Sequence, residues 1–169
     1  MKTDRTTKTV LGIIVCLGLW SPQEGLALQE GRSSCNVLLS RDVCRVQAEA
    51  GDAETQLTMG VAYTHGVGVP EDDTEAIRWF RMAAEQGDAR AQYSLGLMYV
   101  RGAGVAQNDA RAYLWLNIAT AGSQGIDRTL RVTNRDRVAV RLSSADRAAA
   151  QRLATQCQAS DFQYCGEPE

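Results

Sequence analysis

The side chains able to do chemistry are few and scattered. The single histidine, His65, lies in a Gly-rich stretch, and no second ligand or base stands at a spacing that would complete a metal site or a catalytic triad around it. Gly66-Val67-Gly68 and Gly102-Ala103-Gly104 have the look of phosphate loops, but the Gly-Lys-Ser/Thr that should follow is missing. The acidic run Glu71-Asp72-Asp73 lacks the further oxygen ligands of a calcium loop and reads as the start of a helix. The only lysines are Lys2 and Lys8, and no Ser-x-x-Lys occurs, which removes lysine-dependent acyl-enzyme chemistry. No catalytic, metal or cofactor site is therefore assigned from the sequence.

Cysteine chemistry is the exception. Cys35, Cys44, Cys157 and Cys165 follow an N-terminal segment that reads as an export signal. In that segment Lys2, Arg5 and Lys8 precede the apolar run Thr9–Trp20, and Gly25 and Ala27 form a small-x-small site. Residues 1–27 are expected to be a removed signal peptide, with an uncleaved anchor as the alternative. The expected address is periplasmic or secreted, with no membrane span after processing. An even cysteine number in an oxidising compartment points to disulfides. The two pairs sit at opposite ends of the sequence, so Cys35–Cys44 and Cys157–Cys165 are the favoured connectivities. Nine residues of unbroken helix would hold two Cα atoms about 13 Å apart, and a disulfide tolerates roughly 7 Å. The chain must therefore turn within each pair, at Ser40-Arg41-Asp42 and at Ala159-Ser160-Asp161.

The elements that must position any site are written twice, 36 positions apart. Gly51, Asp52, Gln56, Gly60, Tyr63, Gly66, Gly68, Asp73, Ala76, Trp79 and Ala83 recur as Gly87, Asp88, Gln92, Gly96, Tyr99, Gly102, Gly104, Asp109, Ala112, Trp115 and Ala119. Such a period marks a repeat array in which each unit buries its apolar face on the next. Within a unit, Asp52 or Asp88 caps a first helix carrying Gln, Gly and Tyr on one face. The Gly-x-Gly-Val turn follows. Asp72 or Asn108 then caps a second helix, with Glu75 completing a capping box. Gly60 and Gly96 fall mid-helix, where a close approach of the paired helices would require them.

Units at the ends are expected to be worn copies. Residues 28–50 read as an N-terminal capping helix with its cysteine pair, Val43, Cys44 and Ala48 standing where Trp79, Phe80 and Ala84 stand in the next unit. Residues 51–86 and 87–122 are the two repeats. Residues 123–158 form a divergent helix pair, Ile126–Leu142 with Ile126, Leu130, Val138 and Leu142 available to pack, then Ala145–Gln156 with Ala149, Leu153 and Ala154 inward. Residues 159–169 are a tail with Cys165. About seven helices follow in an all-α array, with no strand-like alternation.

The strings Gly-Asp-Ala-x-x-Gln-x-x-[Leu/Met]-Gly-x-x-Tyr-x-x-Gly-x-Gly-Val and Ala-x-x-Trp-x-x-x-Ala, at Gly51–Ala84 and Gly87–Ala119, resemble the SEL-one-like repeat family, related to tetratricopeptide repeats. The resemblance implies a right-handed α-solenoid of antiparallel helix pairs and a non-catalytic adaptor role, in exported bacterial members a regulatory or host-interaction one. Some cysteine-rich members are suggested to bind penicillin-like compounds; those carry cysteines in the repeats, whereas none lies here between Cys44 and Cys157.

A binding role draws on the positions packing does not fix. The chain has 169 residues and a net charge of −2, without the basic excess of a nucleic-acid binder. Where the two copies disagree on the first helices, the face offers Glu54, Thr58 and His65 in one unit and Arg90, Tyr93, Ser94, Leu97, Met98 and Arg101 in the other. These are the candidate partner-binding residues, with packing against the divergent unit as the alternative for Leu97 and Met98. The reading is a monomeric protein- or peptide-binding scaffold of the cell envelope. The alternative is a binder or hydrolase of cell-wall glycan or penicillin-like ligands.

Overall fold

The computed structural model describes residues 35–162 and 165. The proposed signal segment lies outside the described residues. Among the described residues there are seven helices and no strand: α1 (Val37–Glu49), α2 (Ala53–His65), α3 (Asp73–Glu85), α4 (Ala89–Arg101), α5 (Asp109–Ala121), α6 (Gly125–Ala139) and α7 (Ser144–Ala159). None of them is long and apolar enough to cross a membrane.

The two repeats are built alike, because like residues sit at like joints. Asp52 and Asp88 cap α2 and α4, accepting from the amides of Thr55 and of Arg90 and Ala91. Gly66 and Gly102 close those helices at φ 65° and 70°, the left-handed conformation that glycine adopts without a Cβ penalty. In each turn the amide of the next cap returns to the tyrosine carbonyl: Asp72 N–H donates to Tyr63 at 2.9 Å and Asn108 N–H to Tyr99 at 3.0 Å. That bond explains why the expected capping box does not form. The Asp72 amide is already taken, and the Glu75 carboxylate instead accepts from Arg78 at 2.9 Å.

Paired helices approach closely where the mid-helix glycines lie. A Cβ at Gly60 would fall 2.6 Å from the Phe80 ring, and one at Gly96 would fall 2.8 Å from Leu116 Cγ. Successive units are joined by a buried amide. Gln56 Nε2 donates to the Ala48 carbonyl at 2.9 Å, and Gln92 Nε2 to the Ala84 carbonyl at 3.1 Å. Each adds a further donor to a carbonyl in the last turn of a helix, which also accepts from the amide of Gly51 or Gly87.

One core layer joins α1, α2 and α3 through Val37, Cys44, Ala48, Met59, Ala62, Val69 and Trp79. A larger core runs from Leu57, Ile77 and Phe80 through α4 and α5 to Ala150, Ala154 and Cys157 of α7. Cys35 and Cys44 lie at disulfide distance, with Cα atoms 5.4 Å apart. Ser40 breaks the helical run of α1 between them, at φ −155° and ψ 59°. Cys157 and Cys165 also lie at disulfide distance, with Cα atoms 4.5 Å apart. Asp161 and Phe162, both at positive φ, turn the chain back after α7.

The ends depart from expectation in α1, α6 and α7. Val43 is 54% exposed although its counterpart Trp79 is buried, because Trp79 packs towards the preceding unit and α1 has none among the described residues. Ile126 and Leu130 are exposed, at 89% and 54%. Val138 is buried as expected, but the other inward residues of α6 are Arg131 and Ala139, and Leu142 lies beyond the helix, half-buried. On α7 the inward stripe is Ala150, Ala154 and Cys157, while Ala149 and Leu153 are exposed. The cause is a register change. The third unit lacks the Gly-x-Gly-Val turn, so α6 runs to Ala139 and only residues 140–143 separate it from α7.

Arg131 marks the same change. Its Nη1 donates to the Ala119 carbonyl at 3.1 Å and to the Ala89 carbonyl at 2.7 Å, from a side chain that is 7% exposed as a residue. The 36-residue period puts Arg128 at the glutamine position, yet Arg131, one turn later, makes the joint. Ser143 caps α7, accepting from the Asp146 amide at 3.1 Å. Gln151 Nε2 donates to the Tyr113 hydroxyl at 2.9 Å, fixing α7 on α5.

Candidate functional site

The face made by α2 and α4 carries two adjoining depressions. The larger, about 370 Å³, lies between the entry to α1 and the side of α2, with Leu38, Leu57, Val61 and Val67 among its walls. The smaller, about 140 Å³, lies between α2 and α4 and is lined by Val61, Thr64, His65, Phe80, Ser94 and Arg101. Val61 borders both.

Every lining residue that belongs to a repeat differs from its counterpart 36 positions away: Leu57 from Tyr93, Val61 from Leu97, His65 from Arg101, Val67 from Ala103 and Phe80 from Leu116. Thr58 and Ser94 are each other's counterparts and differ by one methyl group. The residues the copies share are spent on caps, turns and core, and none borders a depression.

The candidate residues divide along this face. At its start Arg90 bonds the Asp88 carboxylate at 2.9 Å and reaches Glu54 at 3.8 Å, so these charges answer one another. The Asp88 hydrogen bond and charge hold the Arg90 guanidinium further towards its charged form. Burial pushes the Asp88 carboxyl up, but the Arg90 side chain and the Ala91 amide outweigh it, so the group titrates below the usual carboxylate range. Thr58 is half-buried, its hydroxyl donating to the Glu54 carbonyl at 2.9 Å.

Two candidates are turned to internal use. Met98 is fully buried, so it cannot meet a partner: α4 rotates it into the core beside Leu95. Tyr93 is half-buried beneath α6. Its hydroxyl accepts from Asn134 Nδ2 at 2.5 Å, and the Arg131 guanidinium stands 5.5 Å from its ring centre. Leu97 is half-buried against the core. Ser94, His65 and Arg101 come together in the smaller depression. None of the three side chains makes a hydrogen bond or ion pair among the described residues, and none joins Ser94 to His65. Leu38, Val67 and Thr64, which also line the depressions, are absent from the sequence-based set; Val67 and Thr64 were detectable because they differ from Ala103 and Val100. Among the described residues no group of three or more His, Cys, Asp or Glu is placed to hold a metal ion.

A family model described as the Sel1 repeat matches residues 53–88 and 89–123. The chain carries two Sel1 repeats. Their boundaries enclose α2–α3 and α4–α5, the two units that present the depressions. Sel1 repeat proteins are generally protein-interaction scaffolds. A protective antigen present in uropathogenic Escherichia coli strains and displaying an SLR fold is similar at 28% identity and a TM-score of 0.63, over 75% of this chain and 28% of that one. A Sel1 repeat protein from Oxalobacter formigenes matches at 29% identity and a TM-score of 0.43, over 52% of this chain and 39% of that one. The chain thus spans well under two thirds of the length of either structure. No curated protein matches it.

Proposed function

We propose that this chain is a non-catalytic interaction scaffold of the cell envelope, monomeric, exported and stapled by Cys35–Cys44 and Cys157–Cys165. It captures a protein or peptide on the face of α2 and α4. One observation carries the reading: every repeat residue that lines the depressions stands at a position where the two Sel1 units disagree. Packing accounts for the shared residues and for differing ones such as Phe80, Tyr93 and Met98, but it does not fix the exposed differing residues Val61, His65, Val67 and Arg101. Side chains of mixed character around an apolar hollow suit a partner surface, whose core is apolar and whose rim is polar. The cysteine pairs at disulfide distance fit an oxidising compartment.

The test is capture by the full chain from an envelope fraction, comparing wild type with Val61→Arg and with Arg101→Glu. Both sites are at least partly exposed, so the fold should survive. Loss of the same bound species from both variants, with unchanged helical circular dichroism, supports the reading. Retention of every bound species by both variants removes this face from the function.

A further inference from the structure

The chemistry of the two depressions restricts what can occupy them. Leu38, Val61 and Val67 are 70%, 42% and 39% exposed, so the walls of the larger hollow meet solvent. Its volume, about 370 Å³, falls at the low end of the range for ligand pockets. An apolar hollow of this kind takes an aliphatic side chain and gains by removing both surfaces from water.

The smaller depression has the opposite demand. It gathers the Ser94 hydroxyl, the His65 ring and the Arg101 guanidinium. Arg101 has no carboxylate partner among the described residues, unlike Arg90, whose charge is answered by Asp88 and Glu54. The acids before and at the start of α3 do not serve it: Asp72 caps that helix, accepting from Thr74 and Glu75, and neither Glu71 nor Asp73 forms an ion pair with Arg101. Covering Arg101 and Ser94 with an apolar surface would strip donors of water and return no acceptor. Covering them with a cation would set like charges together. A carboxylate supplies acceptors for all three groups, in the charge-assisted form that is strongest.

Because Val61 borders both depressions, the two demands fall on one short segment. An extended chain advances about 3.3 Å per residue, so neighbouring side chains of one strand span the step. Resting on the scaffold reading, we infer that the occupant is an extended acidic peptide segment: an aliphatic side chain enters the hollow between α1 and α2, and a carboxylate within a few residues of it meets Arg101, Ser94 and His65.

The experiment is selection of random dodecapeptides displayed on phage against the full chain with its disulfides intact, followed by fluorescence anisotropy of the enriched peptides. Enrichment of an aliphatic residue within three positions of Asp or Glu is expected. Arg101→Gln should weaken such a peptide about tenfold, the scale of one charge-assisted hydrogen bond. Replacing the peptide's acid by its amide should weaken it as much, and the two losses should not add. Arg152→Gln, an exposed site on α7 that lines neither depression, should leave affinity within about twofold. Enriched peptides without an acid, or an affinity indifferent to Arg101→Gln but lost in Val61→Arg, overturn the acidic occupant and leave the scaffold reading standing. Failure to enrich any peptide on folded protein overturns both.

Discussion

Gly60 offers a test in which two known effects have opposite sign. It lies in the middle of α2, where helix propensity alone favours alanine by about 1 kcal/mol. An added Cβ would stand 2.6 Å from Cδ1 and Cε1 of Phe80 and 3.0 Å from Cγ. That ring is 3% exposed and packed in the core, and although it borders the smaller depression, displacing it disturbs its core neighbours. Overpacking costs about 1–3 kcal/mol. Gly60→Ala should therefore destabilise by up to about 2 kcal/mol after the propensity gain is subtracted. Removing the ring should reverse the sign: in a Phe80→Ala background, Gly60→Ala should stabilise by up to about 1 kcal/mol. Urea denaturation of the four proteins, followed by helical circular dichroism, gives the coupling directly. A Gly60→Ala variant more stable than wild type, or a cycle with no coupling, would refute close helix approach as the reason for the glycine. Repeat 2 supplies a contrast. A Cβ at Gly96 meets the Leu116 backbone nitrogen at 3.2 Å as well as its side chain, so Leu116→Ala should relieve Gly96→Ala only in part.

Other outcomes follow from the joints between units. Arg131→Met keeps the apolar stem but removes the donor from the Ala89 and Ala119 carbonyls; it should cost about 2–3 kcal/mol, with hydrogen exchange showing α6 and α7 losing protection before α2–α5. Cys35→Ser should cost about 2–3 kcal/mol by the loop-closure estimate, measured by denaturation, and intact mass with and without reductant should differ by about four hydrogens if both pairs are bonded. The Thr55 hydroxyl and amide hold the Asp52 carboxyl below the usual range, and Asp88 is also held low. Both contribute stability that is present above the ordinary carboxylate range and lost as pH falls through their folded values; Asp88→Asn should therefore flatten the decline in denaturation midpoint between pH 5 and 3. Burial raises the Glu85 carboxyl against the opposing charge of Arg81, so Glu85→Gln should leave stability at pH 7 unchanged or higher, by the same denaturation assay.

The repeated units were legible because each shared residue has one local job. Asp52, Gly66, Asp72 and their counterparts are cap and turn signals that act within a few residues, and the mid-helix glycines announce close packing wherever they fall. The third unit was not legible in the same way. Its inward face depends on the register of α6 against α5, and the loss of the seven-residue turn moves that register without leaving a local signal. Apolar spacing pointed to Ile126 and Leu130 as well as to the buried Val138, whereas the first inward residue of α6 is Arg131, a type that composition places on surfaces. Glu75 shows a second limit: a box pattern is local, but the amide it would need had been claimed by the Tyr63 carbonyl from the preceding helix. For the candidate face, disagreement between copies found His65, Ser94 and Arg101. It also drew in Met98, because a position freed from one packing demand can be taken by another, here the core of repeat 2.

Assignment of the function to the α2–α4 face is tested most directly by quantitative capture with three full-length proteins: wild type, a Val61→Arg/Arg101→Glu double variant, and an Ile126→Arg/Val140→Arg control altered at exposed sites away from the depressions. All three should be equally helical and equally stable to within about 0.5 kcal/mol. The expected result is a bound species shared by wild type and the control and missing from the double variant. Equal capture by all three, or loss in the control alone, would contradict the assignment.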